Sequence, residues 1–177
     1  MANPGGLTIT EAGRRIGVTE RRSGYAAGMG GIEMRSSAFR DNDAMPDRMT
    51  PTGADVSPPL TWSGIPEGTF ELALLCEDAD APKGAFVHWL VTGIDPTSTS
   101  VEEGQVPAGG REWPNGFGNV GYTGPQPPIG DDPHRYFFRL YALAQPMDLP
   151  VRPSSTDVHD AAKTELASGV LVGTFAR

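Results

Sequence analysis

The stretch HRYFFRLYALA, residues 134–144, carries the clearest β-strand pattern in the sequence. Aromatic or aliphatic side chains recur at every second position from Tyr136 to Leu140, whereas Arg135 and Arg139 occupy the alternate positions. Because successive side chains point to opposite faces of a sheet, this alternation predicts a strand with one face against a core.

Two further strands are predicted upstream of it. Residues 70–77 have an apolar residue at every even position, beginning with Phe70, and glutamates on the odd face. Residues 86–94 are apolar on both faces, which predicts a buried central strand. Strict alternation places His88 on the same face as Leu90.

The remaining elements are shorter or stand alone. Weaker strands are predicted at residues 32–39 and 170–175. One helix is predicted over residues 154–168, with Ser155 or Thr156 as its polar N-cap and Gly169 as its end. Strands joined by long loops, with one late helix, indicate a mainly β fold with antiparallel pairing.

Composition narrows the class of protein. The chain has 177 residues, which fits one domain. Its 23 glycines and 17 prolines interrupt almost every window long enough for a bundle helix. A net charge of −8 argues against a broad nucleic-acid surface. The single cysteine, Cys76, excludes an intramolecular disulfide.

The two ends of the chain differ in character. Residues 1–31 are rich in glycine and arginine and carry no motif, so we interpret them as an N-terminal arm of unknown role before a domain at residues 32–177. No apolar run approaches the roughly 20 residues of a membrane span, and the N-terminus shows no secretion-signal pattern. We therefore expect a cytoplasmic protein.

Four polar side chains fall on strand faces or ends that the pattern assigns to the core: Asp78, His88, His134 and Tyr136. Taken singly, Asp78 suits the cap of the turn that leads to Pro82, and the others suit core side chains with a hydrogen-bond partner. Taken together, they indicate a shallow polar pocket floored by a sheet. Histidine and tyrosine can donate hydrogen bonds to an anion, and an ionised aspartate can orient or charge a histidine.

Five motifs follow one another along the chain: GADVSPPLTWSG (53–64), DADAP (78–82) with HW (88–89), GYTGP (121–125), HRYFFRLYAL (134–143) and LVGTF (171–175). This series resembles the phosphatidylethanolamine-binding protein family, and within it the bacterial members similar to Raf kinase inhibitor proteins. The resemblance covers roughly residues 32–177. It implies a large antiparallel sheet packed on smaller β structure, with a helix near the C-terminus.

The resemblance also implies a non-enzymatic pocket for phosphate-like anions, small carboxylates or phospholipid headgroups, without a metal or cofactor. Its ligand-binding residues here would be Asp78, Asp80, Pro82, His88, Gly124, His134 and Tyr136. The acidic turn of Asp80 and Pro82 would form one wall and the loop of Gly124 the opposite one. The family further suggests a homodimer, with no nucleic-acid partner.

The chain departs from the family pattern at two positions beside this pocket. Ala79 stands where the family usually has a proline between the two turn aspartates. Phe86 stands where eukaryotic members usually place a tryptophan on the rim. The arm of residues 1–31 has no counterpart.

Two other classes of function stay open at the level of sequence. A metal-dependent hydrolase could use the aspartates and histidines, although no His-x-x-x-His or His-Glu-x-x-His spacing is present. An interaction module could inhibit a kinase or protease through the proline-rich loops at residues 96–117 and 125–133. For the pocket, we expect weak anion binding that strengthens as a histidine protonates below about pH 6.5. The sequence does not identify the natural ligand.

Overall fold

The computed structural model describes residues 31–177, and the predicted arm of residues 1–31 lies almost wholly outside this range. Eight strands and one helix follow in chain order: β1 (Glu33–Arg35), β2 (Leu60–Ser63), β3 (Glu71–Asp78), β4 (Phe86–Ile94), β5 (Ser100–Val101), β6 (Arg111–Glu112), β7 (His134–Leu143), α1 (Ser155–Ala161) and β8 (Ala167–Phe175). A short 3-10 helix covers Asp47–Met49. Within the described residues, no helix has the length and apolar character needed to cross a bilayer.

The strands form two sheets, both antiparallel throughout. The larger sheet has the order β6-β4-β3-β7-β8, and the smaller has the order β1-β2-β5. One face of the larger sheet packs on the smaller sheet through a continuous apolar core. The other face packs on α1 through a second core. The predicted mainly β fold, with a helix near the C-terminus, is confirmed.

The central strand β3 is buried along its whole length, because both cores cover it. The glutamates of its odd face are therefore buried as well, and each has partners. Glu71 accepts a hydrogen bond from the backbone N–H of Met147 at 2.9 Å. Phe70 lies just before the strand and its side chain is 59 % exposed, so its predicted place in the core is wrong. Alternation predicts which face of a strand a residue occupies. It does not predict how far along the strand another layer of the fold covers that face.

A β-bulge interrupts the alternation of β4 at His88. Cys76 pairs with Trp89 and Glu77 pairs with Val87, so His88 is the extra residue between them. An extra residue moves every later side chain of the strand to the opposite face of the sheet. Leu90 consequently joins Val87 in the core under α1, and the predicted common face of His88 and Leu90 is wrong.

The helix is shorter than predicted. It spans Ser155–Ala161, and its N-cap is Ser154, which forms a capping box with Asp157. The apolar spacing continues past its end, but Leu166 donates its backbone N–H to the sheet, which outweighs the helical pattern. Gly169 lies inside β8, where a Cβ would collide with the carbonyl of Ile32, so it serves close packing and does not end the helix.

Candidate functional site

The four predicted pocket side chains meet at one end of the larger sheet. Asp78 is the last residue of β3 and pairs directly with Tyr136 of β7. His134 is the first residue of β7, and His88 lies near the start of β4, on the opposite side of β3. Strands β3 and β4 therefore each contribute one polar side chain to this corner of the fold, and β7 contributes two.

Asp78 and His134 form a buried hydrogen-bonded pair. The His134 Nδ1–H donates to Asp78 Oδ2 at 2.8 Å, and the second carboxylate oxygen accepts the backbone N–H of Asp80 at 2.9 Å. The His134 Nε2 atom lies 3.6 Å from a carboxylate oxygen of Asp131. Burial lowers the pKa of His134, but the two carboxylates outweigh it and the net direction is upward. This pair therefore favours an imidazolium whose Nε2–H faces outward from Asp78.

The surroundings of His88 favour a neutral ring, in contrast to those of His134. Its Nδ1–H donates to the carbonyl of Thr123 at 2.7 Å, and the backbone N–H of Thr123 donates back to the His88 carbonyl at 3.1 Å. Its ring meets those of Phe86, Phe117 and Tyr136 edge-on, with centroids 5.2–5.5 Å apart. Burial in this aromatic setting lowers the pKa of His88 despite the neighbouring carboxylates. The neutral ring thus carries its proton on Nδ1.

The hydroxyl of Tyr136 has no hydrogen-bond partner of ordinary geometry within residues 31–177. Its side chain is fully buried, and among residues 31–177 only Ser98 Oγ shares this unpaired state. Burial and the negative charge of Asp78 raise the pKa of Tyr136 well above the usual phenol value, so the group stays a neutral donor. A buried hydroxyl without a partner is costly, and at a functional site it indicates a place for a ligand or a water molecule.

The loop that carries Gly124 is fixed from two sides. The Gly124 N–H donates to Asp55 Oδ1 at 2.7 Å. A Cβ at this position would collide with the backbone carbonyl of Met49, so only glycine fits. The Asn115 side-chain amide donates to Thr123 Oγ1 and to the Gly121 carbonyl, which positions the residues that hold His88. Sequence reasoning missed Asn115, because no periodic or motif signal distinguishes an asparagine in a long loop.

Asp80 and Pro82 occupy the turn after β3. The Asp80 carboxylate accepts hydrogen bonds from Arg135 Nε at 2.9 Å and Nη2 at 2.7 Å, and from the Arg135 backbone N–H. These bonds lower the pKa of Asp80 to about 2. Pro82 is exposed in the same turn. The geometry gives Asp80 a role in anchoring the turn to β7, and a direct ligand contact for either residue stays a prediction.

An open depression of about 580 Å³ borders this corner of the sheet. Three aspartates contribute to its wall, so its outer part is acidic. Its lining consists of Asp80, Gly130, Asp131, Asp132, Pro133, His134 and Arg135.

Other candidate chemistry is not assembled in residues 31–177. This part of the chain contains no group of three or more His, Cys, Asp or Glu side chains that could hold a metal ion. Burial raises the pKa of the Cys76 thiol well above its usual value. Trp113 belongs to the core under α1 and donates its indole N–H to Thr92 Oγ1.

These features define a class of protein: a two-sheet β protein with a small polar site at one end of its central strands. Comparison with known proteins names the class. The family described as phosphatidylethanolamine-binding protein matches residues 35–176, and the chain belongs to this family. The predicted resemblance is thereby confirmed.

Several relatives share most of the chain. A Mycobacterium tuberculosis protein named "Putative lipoprotein LppC" is 48 % identical over 147 residues, covering 81 % of this chain and 72 % of its own. A UPF0098 protein of Methanothermobacter thermautotrophicus is 41 % identical over 152 residues, covering 82 % and 99 %. The crystal structure of Escherichia coli YbcL, described as a member of the mammalian PEBP family, superimposes with a TM-score of 0.75 at 28 % identity, covering 84 % and 99 %.

Proposed function

We propose that this protein binds small oxyanions, such as phosphate groups or small carboxylates, without chemical turnover, in the pocket of Asp78, His88, His134 and Tyr136. The observation that carries the proposal is the buried hydroxyl of Tyr136, which has no partner in the described part of the chain. It lies beside a histidine that the Asp78 carboxylate keeps in a donating state. Membership of a family with a binding-protein fold supports the same conclusion.

Two observations support binding without chemical turnover. The nearby thiol and phenol both have raised pKa values, so neither is an activated nucleophile. Within residues 31–177, no serine or cysteine side chain is hydrogen-bonded to the ring of His134. A positioned imidazolium and a neutral phenol are instead a suitable pair of donors for a bound anion.

A titration followed by NMR tests the proposal. Phosphate or phosphoethanolamine is added at pH 6, and the ring signals of all three histidines are followed. We expect saturable shifts at His88 and His134, and none at His159, whose ring lies on the other face of the sheet against Glu77 and Tyr141. Phosphorus signals of phosphoethanolamine in the same sample should show no hydrolysis. No histidine shift up to millimolar ligand would overturn the proposal and move attention to protein partners of the loops, including a kinase or a protease.

Binding should depend on pH through His134. Since the pKa of His134 is raised above 6.5, the donating imidazolium persists to higher pH than in an exposed histidine. Affinity is therefore expected to be strongest at low pH and to fall as the pH rises through that raised value. A flat affinity between pH 5.5 and 8 would contradict this dependence.

Assembly and location stay predictions. A homodimer is expected from the family resemblance, and light scattering on the purified chain measures it directly. A cytoplasmic location is expected from the sequence, whereas one relative is named as a lipoprotein. Cell fractionation of the full-length protein distinguishes these locations.

A further inference from the structure

The two pocket histidines present opposite hydrogen-bonding character. A carbonyl oxygen can only accept, so the 2.7 Å contact with Thr123 requires His88 Nδ1 to be the donor. In the neutral ring, Nε2 is then a lone-pair acceptor. Burial lowers the pKa of His88 against the attraction of the Asp78 and Asp55 carboxylates, which favours the neutral ring.

The second ring nitrogen of His88 is the candidate acceptor for a ligand. Among residues 31–177, the hydrogen bond of the ring is made by Nδ1, and none is made by Nε2. The ring lies 5.2 Å from that of Tyr136, whose hydroxyl is likewise without a partner in this range.

The remaining polar groups of the pocket are donors. The Asp78 carboxylate fixes His134 with Nδ1–H toward it, so the imidazolium Nε2–H points away from Asp78. The Asp131 carboxylate lies 3.6 Å from this nitrogen and competes with a ligand oxygen for its proton. The Tyr136 hydroxyl is unpaired as far as the structure describes the chain, from residue 31 onward, and its ring is 5.2 Å from that of His88. The pocket thus combines two donors with one acceptor.

We propose that the pocket selects an oxyanion that still carries a proton, such as the monoanion of a phosphate monoester, over an anion of the same shape and charge without one. The P–O–H group would donate to His88 Nε2, and the other oxygens would accept from His134 and Tyr136. A protonless oxyanion would place an oxygen lone pair against the nitrogen lone pair, and a site built for a hydrogen bond rejects such a ligand strongly. This inference rests on the proposed function and specifies its ligand class.

Methyl phosphate and methyl sulfate provide the test. At pH 5.5 both are single-charged anions of nearly equal size, and only methyl phosphate retains an O–H. Titration of the full chain, followed through the His88 and His134 ring signals with His159 as internal control, gives both affinities. We expect methyl phosphate to bind at least about tenfold more tightly, as one lost hydrogen bond to a facing acceptor implies.

A second readout follows the proton itself. Ring nitrogen-15 signals distinguish a neutral histidine protonated on Nδ1 from an imidazolium, and His88 is expected to keep the neutral form in the methyl phosphate complex. In His88→Gln the side-chain amide can offer an N–H instead, so the ratio of the two affinities should fall toward one. If that variant does not fold, the two measurements on the natural sequence decide the question alone.

The outcomes separate this inference from the proposed function. Equal affinities for the two anions, with His88 charged in both complexes, would leave anion binding intact and overturn the selection. No binding of either anion would overturn both. Dimethyl phosphate, a model of a lipid diester without a proton, should bind as weakly as methyl sulfate. Tight binding of this diester would overturn the selection in favour of a headgroup.

Discussion

Replacing Tyr136 by phenylalanine should change stability and binding in opposite directions. The side chain is fully buried, and its hydroxyl has no partner in residues 31–177. A buried hydroxyl in this state costs about 1–3 kcal/mol relative to one that is hydrogen-bonded or solvated. Tyr136→Phe removes the hydroxyl and keeps the ring, so no large cavity forms. We expect the free energy of unfolding of the ligand-free protein to rise by about 1 kcal/mol.

The same change should weaken phosphate binding. A hydrogen bond from a neutral hydroxyl to an anion contributes about 1.5–3 kcal/mol, and the lower end of this range corresponds to roughly tenfold in affinity. Urea unfolding at pH 7 in phosphate-free buffer measures the stability, and the histidine NMR titration measures the affinity.

Tyr141→Phe is the matched control. The Tyr141 hydroxyl is hydrogen-bonded to His159 Nδ1 at 2.9 Å, on the face of the sheet that packs against α1. Its removal should lower the free energy of unfolding by about 0.5–1.5 kcal/mol and leave phosphate affinity unchanged. If Tyr136→Phe also destabilised the ligand-free protein by 1 kcal/mol or more, its hydroxyl would have a native partner and the reasoning would fail.

Three further changes test other parts of the structure. Glu77→Gln should lower the free energy of unfolding by about 2–4 kcal/mol at pH 7, because the buried carboxylate accepts from Arg139 and from serine and histidine side chains of α1. Burial raises the pKa of Glu77, but these partners lower it below 4.5, so this stabilisation is present above pH 4.5 and lost as the pH falls through the lower folded-state value. Asp131→Asn should strengthen phosphate binding about threefold at pH 5.5 and low salt, because its carboxylate lies 3.6 Å from the Nε2 of His134 and repels an anion there. Gly124→Ala should destabilise the fold by about 1–3 kcal/mol and weaken binding together, since its Cβ meets a backbone carbonyl.

Each of these three predictions can be tested by one measurement. Urea unfolding of Glu77→Gln and the natural sequence between pH 7 and 3 should converge, and parallel curves would show that the carboxylate is not the cause. An unchanged or lower affinity in Asp131→Asn would remove that carboxylate from the mouth of the pocket. A Gly124→Ala protein of normal stability would mean that the loop moves aside at little cost.

Much of the larger sheet was predictable because its strands carry strong alternation. The strand at residues 134–143 was predicted almost to its ends, and the strands β3 and β4 were predicted close to their observed ranges. Which strands pair with one another was not predicted. The errors concern features that alternation within a single strand or helix does not predict. The bulge at His88, the exposure of Phe70 and the early end of α1 all depend on contacts with other elements.

The composition of the candidate site was predictable as well, although its chemistry was not. Residue type and parity were enough to single out Asp78, His88, His134 and Tyr136. They gave no means of distinguishing the two histidines. Burial favours the neutral ring of His88, and a carbonyl 35 positions away fixes its proton on Nδ1. His134 is held in a donating state by a carboxylate 56 positions away.

By itself, the sequence determined the mainly β class, the long strands β3, β4 and β7, and the set of polar residues that a family resemblance joins into one pocket. Only the tertiary structure decided which nitrogen of each histidine carries a proton and which hydroxyl is left without a partner. The physical reason is that hydrogen-bond partners and burial are set by segments far apart in the chain, whereas strand periodicity is a local property of the backbone.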